Sequence, residues 1–224
     1  MTDNENKALE IHDTQKVDYV VAAAKGVLGA IPFVGSLLSE LAGIVIPNQR
    51  IDRIEKFAKV LAERISKIDE YFVRAELSDE TFTDLLEEAL RQAARSLTDE
   101  RREYIATLIS NSLTSKEIQH FETKHLLKIL DELNDIEIIW LRFYLVSIMN
   151  GDTEFREKHR GILKPVSQTM GVPQAVRDKG TLQYSYKDHL AQLGLLLKDG
   201  NKYALAPLGR LLLREIGLIG KEQA

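Results

Sequence analysis

YSYKDHLAQLGLLLKDGNKYALAPLGRLLLREIGL, residues 184–218, carries the reading of the fold. His189 to Leu195 closes a helix, and Gly194 is its natural stop because glycine enters the left-handed region without a Cβ clash. Leu195–Lys198 and Lys202–Leu205 then flank Asp199-Gly200-Asn201, which is hairpin-turn chemistry. Pro207 sits where a final helix would begin, at the one turn of a helix that tolerates a missing N–H. Helix, hairpin, helix is the closing half of a winged-helix unit. Working backwards, residues 136–149 (IEIIWLRFYLVSIM) are apolar nearly all round, as a buried helix is. They end at Asn150-Gly151-Asp152 and would supply the first helix of that unit. The stretch from there to about Tyr184 shows no clear period and reads as irregular.

Further upstream the period is helical. Residues 48–72 read as one long helix with Ile51, Ile54, Ala58, Leu61, Ile65, Ile68 and Phe72 in a stripe. Ser78 before Asp79-Glu80 and Thr98 before Asp99-Glu100 are start signals, since a hydroxyl caps free amides and acids favour the positive helix end. The stripes that follow are Phe82, Leu85, Leu86, Ala89, Ala93 and then Tyr104, Ile105, Leu108, Ile109. A further helix is expected over 115–133, with Ile118, Phe121, Leu126, Ile129, Leu130 and Leu133 inward and Asn134-Asp135 punctuating its end. The fold expected is mainly α: a flexible tail over 1–16, a helical bundle domain over 17–114, and a helical plus winged-helix-like domain over 115–224 with one short β-hairpin.

Residues 17–46 (VDYVVAAAKGVLGAIPFVGSLLSELAGIVI) form a glycine-rich hydrophobic hairpin. Fourteen uncharged residues separate Lys25 from Glu40, and Pro32 splits them into two expected helical arms. Small residues recur every four positions, Ala22-Gly26-Ala30 in one arm and Gly35-Ser39-Gly43 in the other, which permits close helix approach. Each arm spans about 21 Å, short of the roughly 30 Å hydrocarbon core of a bilayer. Buried packing and a triggered membrane element are both compatible with that length. The glycines weaken each arm by up to ~1 kcal/mol apiece relative to alanine. Gly26, Gly29, Pro32, Phe33, Gly35, Ser39 and Gly43 are therefore the candidate membrane or self-association residues. The nearly heptad 51–72 stripe also permits self-association.

Composition narrows the function classes. The chain has 224 residues, 44% hydrophobic and 29% charged, with no cysteine. Disulfides, thiolate metal sites and a cysteine nucleophile are excluded. The acidic N-terminus lacks the basic start of a signal peptide, and a cytoplasmic home, peripheral to the inner membrane, is expected. Net charge is −4, unevenly spread. Residues 51–114 hold 14 acidic and 10 basic side chains, whereas 153–214 hold 11 basic and 5 acidic. That asymmetry admits an anionic partner for the C-terminal part.

No catalytic motif emerges. The chain has no phosphate-cradling loop, no dinucleotide turn after a strand, and no second glycine after Gly35-Ser36 for a nucleophile elbow. His120 and His125 lie roughly 140° apart around a helix, so they cannot share a metal with Glu122 as an i, i+4 pair would. Asp84, Glu87 and Glu88 read as a solvated face, with Arg91 four residues from Glu87. The expectation is a non-enzymatic protein with no cofactor, no metal and no small-molecule substrate. The basic residues Arg156, Lys158, Arg160 and Lys164 surround His159. With Lys187, His189, Gln192, Lys198 and Lys202 they make the candidate nucleic-acid or anionic-partner set.

Two pairs of tracts carry a family resemblance. ATLISNSL (106–113), followed after a spacer by KHLLKILDELNDIEIIWL (124–141), resembles the central pattern of abortive-infection alpha proteins and their uncharacterised relatives. HLAQLGLL (189–196) with YALAPLGRLLL (203–213) is similar to the end of the same group. The likeness touches parts of 50–215 and rests mainly on leucine spacing. The family's aromatic pair is only partly matched, by His120-Phe121. PFVGSLL (32–38) is instead similar to the glycine-rich entry of helical pore-forming toxin domains. What the resemblance implies is a bacterial or phage-encoded, non-enzymatic protein concerned with phage exclusion. The partner expected is a protein or a second copy of the chain, with a membrane and nucleic acid as further candidates. A winged-helix DNA-binding transcriptional regulator is the alternative.

Overall fold

The computed structural model describes residues 48–115, 118–145, 153–166 and 171–219. They are mainly helical, with one two-stranded antiparallel hairpin. The hydrophobic segment 17–46, with Gly26, Gly29, Pro32, Phe33, Gly35, Ser39 and Gly43, lies outside the described residues, as does the tail 1–16. Two compact units divide between Leu127 and Lys128. Among the described residues, no helix is long and apolar enough to cross a membrane.

In the first unit, α1 (Asn48–Ile65), α3 (Glu80–Arg95) and α4 (Asp99–Thr114) pack on one another. Their meeting faces bury Phe57, Leu61, Phe82, Leu85, Leu90, Ile105, Leu108 and Ile109. The long helix expected over 48–72 is in fact two. The first ends at Ile65, and α2 (Glu70–Glu76) restarts after Asp69, whose side chain accepts from the Phe72 amide at 3.1 Å. An aspartate that captures free amides competes with helix continuation. The restart takes Phe72 out of the stripe, so it is 42% exposed while Val73 is buried. Asp79, one residue past the expected Ser78, caps α3 by accepting from the Thr81 and Phe82 amides at 2.8 and 3.0 Å. Thr98 caps α4 as its position implied, accepting from Arg101 at 3.3 Å. The buried Arg102 donates to the Ser96 carbonyl at 2.7 Å and pairs with Asp99.

Helix α5 (His120–Glu132) starts later than the expected 115. Phe121, expected inward, is 67% exposed. The buried face is Thr123, Leu126, Leu127 and Leu130, a three-four spacing that puts residue 121 on the opposite side. The expected stripe had stepped by five from 121 to 126 and so crossed the helix.

The second unit opens with α6 (Asp135–Leu145), which begins in a reciprocal cap. Asn134 Oδ1 accepts the Glu137 amide at 2.9 Å, and Glu137 Oε2 accepts the Asn134 amide at 2.8 Å; this is the capping-box arrangement. Two short helices follow, α7 (Thr153–Lys158) and α8 (Arg160–Leu163), and then α9 (Gln174–Gln192). The stretch before Tyr184 is thus largely helical, contrary to the irregular reading. Its pattern was silent because, of nineteen residues in α9, only Gly180 and Leu190 are buried.

The end of α9 follows the sequence closely. Gly194 has φ +72°, with Leu195 N–H donating to the Leu190 carbonyl at 2.9 Å and Gly194 N–H to Ala191 at 3.0 Å. Those two bonds close a Schellman motif. Strands β1 (Leu196–Asp199) and β2 (Lys202–Leu205) pair with Asp199 opposite Lys202, and Gly200 takes φ +56° in the turn between them. Helix α10 (Pro207–Glu215) has Pro207 in its first turn and a second Schellman end at Gly217. Helix α6 is the hub, contacting α8, α9, β2 and α10, and α9 also packs on β1.

Candidate functional site

The side chains most densely connected in the second unit lie where α6, α9 and the hairpin meet. Tyr184 and Lys187 share a face of α9 one turn apart, and the β1–β2 register sets Tyr203 opposite Lys198. The Lys187 ammonium lies 4.1 Å from the Tyr184 ring centroid and 5.3 Å from those of both Trp140 and Tyr203. Tyr144 closes the group, 6.2 Å from Tyr203 and 6.4 Å from Trp140 between ring centroids. Burial lowers the Lys187 pKa, because a desolvated ammonium loses hydration, and the neighbouring Asp188 opposes that shift only in part.

Asp188 ties the hairpin to α9. Its Oδ1 accepts from Lys198 Nζ at 2.6 Å and from the Tyr203 hydroxyl at 2.5 Å. These bonds, the lysine's first, hold the Asp188 carboxyl below its usual range. The Tyr203 hydroxyl is pushed up to about 12 by burial and then by donating to that carboxylate. Burial likewise takes Tyr144 to about 12.

On the other side, His189 Nδ1 lies 2.8 Å from Oε1 of Glu137, whose side chain is 4% exposed. The carboxylate that caps α6 therefore also fastens α9. A third cluster joins α6 to α7 by exchanged cation–ring contacts: the Arg142 guanidinium lies 4.4 Å from the Phe155 centroid and Arg156 4.7 Å from that of Phe143. The His159 ring lies tilted against that of Phe155, with centroids 4.7 Å apart. Its pKa is lowered by burial first and then by Lys158 and Arg142.

The sequence-derived basic set is thus divided. Lys187, His189, Lys198 and Arg156 are engaged inside the unit by rings and carboxylates. Arg160 pairs with Glu157 at 3.3 Å on the surface. Lys158, Lys164, Gln192 and Lys202 are exposed. Sequence reasoning missed the aromatic group and the two carboxylates, Glu137 and Asp188. The signals present were Trp140–Tyr144 and Tyr184–Lys187 at helical spacing; the partner strand that completes the group leaves no mark in local periodicity.

In the first unit, His120 Nε2 meets Glu76 Oε2 at 2.7 Å and Glu122 Oε2 accepts the Gln119 amide at 2.8 Å, so these side chains diverge. Glu87 pairs with Arg91, and Asp84 with Lys124. Among the described residues no group of three or more His, Asp or Glu side chains is placed to hold a metal ion. No family model, curated protein or solved structure matches this chain.

Proposed function

We propose that this chain is a non-enzymatic interaction and effector protein of the abortive-infection, phage-defence type. In this reading α1–α4 belong to a helical bundle, and α6 to α10 form a winged-helix-like module with the β1–β2 hairpin as its wing. The observation that carries the reading is the exposure of one leucine on α9 and one on β1. Leu182 is 53% exposed and Leu197 60% exposed, while Lys187, His189 and Lys198 are turned to intramolecular partners. Exposed leucines beside Lys187, His189 and Lys198 that already have partners favour a protein partner over a phosphate backbone. The tracts 106–113 and 124–141 support the phage-exclusion setting through their family likeness, and the hydrophobic segment 17–46 is the candidate membrane-acting element of this reading.

The test is plaque formation on a bacterial lawn expressing the full chain, compared with folded Leu182→Glu and Leu197→Glu variants. The wild type reduces plating efficiency and both variants restore it. Undiminished protection by both variants refutes the interaction surface.

The DNA-binding alternative is favoured by one observation. Arg177, Lys179 and Lys202 are exposed on α9 and the hairpin and make no ion pair among the described residues. It requires duplex binding that weakens steeply with salt and falls in Arg177→Ala.

A further inference from the structure

We propose that the aromatic box of Trp140, Tyr184 and Tyr203, with Tyr144 behind it, is a binding site for a quaternary ammonium group, and that Lys187 is its resident competitor. The inference goes beyond the effector reading and does not depend on it. Three ring systems from α6, α9 and β2 converge on a single cation at 4.1 to 5.3 Å. Ring faces carry the negative end of the aromatic quadrupole, and a box of them is the arrangement that recognises alkylated ammonium groups.

Lysine is a poor occupant of such a box. Its ammonium carries three N–H donors, yet among the described residues no oxygen accepts a hydrogen bond from Lys187. The adjacent carboxylate of Asp188 is bonded to Lys198 and Tyr203 instead. The lowered Lys187 pKa reports the cost of that desolvation. A quaternary ammonium has no N–H to leave unfilled and is more weakly hydrated, so the same rings hold it at a smaller cost. Among the described residues the buried indole Nε1 of Trp140 has no partner either, so the box is not a satisfied core. Tyr184 is exposed at its mouth, and Lys187 is only part-buried on a flexible four-carbon stem. The ammonium can therefore swing into water without moving α9.

The chain contains a single tryptophan, and it is a wall of the box, so intrinsic fluorescence of the full-length protein reads occupancy directly. Tetramethylammonium chloride titrated against sodium chloride at matched ionic strength is expected to give a saturable change. In Lys187→Ala the apparent affinity is expected to rise roughly tenfold, the scale of one cation–ring interaction. Adding Tyr184→Ala is expected to remove the response. Lys187→Met, which keeps the stem and drops the charge, carries the same expectation if the alanine variant does not fold. Phosphocholine in solution and phosphatidylcholine vesicles, as further arms, distinguish a free ligand from a lipid headgroup. No saturable response to tetramethylammonium in a folded Lys187 variant overturns the proposal, as does a response that Tyr184→Ala leaves unchanged.

Discussion

Gly209→Ala separates two physical arguments that predict opposite signs. Gly209 lies inside α10, and by helix propensity alone alanine there would stabilise the protein by about 1 kcal/mol. The tertiary structure forbids that gain. A Cβ on residue 209 would fall 2.2 Å from the Leu195 carbonyl oxygen, 3.0 Å from Leu205 Cδ1 and 3.1 Å from Leu141 Cδ1. A carbon–oxygen contact needs about 3.3 Å, so α10 and the start of the hairpin must part by about 1 Å. The Leu195 carbonyl also accepts the Ala206 amide at 3.0 Å, the bond that anchors the first turn of α10, and the same movement stretches it beyond hydrogen-bond range. Overpacking costs about 1–3 kcal/mol and the orphaned buried pair another 1–3 kcal/mol. Set against the propensity gain, the expected net loss is about 3 kcal/mol, a large share of an ordinary domain's stability. Urea unfolding followed by Trp140 fluorescence measures it, because the lone tryptophan sits in the same unit. Gly161→Ala is the control: its Cβ meets nothing within 4 Å, so that variant should be neutral or slightly more stable. A Gly209→Ala protein as stable as wild type would refute the close approach of α10 to Leu195.

Two other perturbations follow from the polar network. Glu137→Ala removes the reciprocal cap of α6 and the contact with His189 together. A cap is worth about 1 kcal/mol and a bond to a buried charged group about 1.5–3 kcal/mol, so a loss of about 2.5–4 kcal/mol is expected in the same unfolding assay; a loss under about 0.5 kcal/mol would show that the carboxylate fastens nothing. In acid, Asp99 is held below the ordinary carboxylate range, first by the Arg102 hydrogen bond and then by Lys56, and Asp79 is held down first by the Thr81 side chain and then by the Phe82 amide. A depressed folded pKa contributes stability that is present above the unfolded value and is lost as pH falls through the folded one. Thermal midpoints should therefore decline below roughly pH 4, and Asp99→Asn should flatten that decline. An unchanged slope in the variant would remove Asp99 from the account.

Legibility in the sequence tracks how local each determinant is. Gly194, the Asp199-Gly200-Asn201 turn and Pro207 act through their own backbone dihedrals, and each does in the fold what its chemistry required. The stripes Phe82-Leu85-Leu86-Ala89-Ala93 and Ile105-Leu108-Ile109 are buried because they repeat at the helical period on long elements. Helix α9 stayed unread because a helix that buries little has little apolar period to show. The break at 66–69 was hidden by a stripe that carries on through it, since hydrophobic spacing does not register a capping aspartate. The candidate site was legible least of all. Lys187 and His189 were expected to face a partner from their place on the helix, but their orientation is set by Tyr203 and Glu137, distant in sequence.

By itself, then, the sequence determined the helical class, the hairpin and its turn, and the helix ends at Thr98, Gly194 and Pro207, because each depends on dihedral preference, capping or periodicity within a few residues. Only the tertiary structure decided which cations are engaged internally, which rings surround Lys187, and why residue 209 must be glycine. Those outcomes depend on distances between elements brought together from residues 134 to 209, and such distances exist only once the unit has packed.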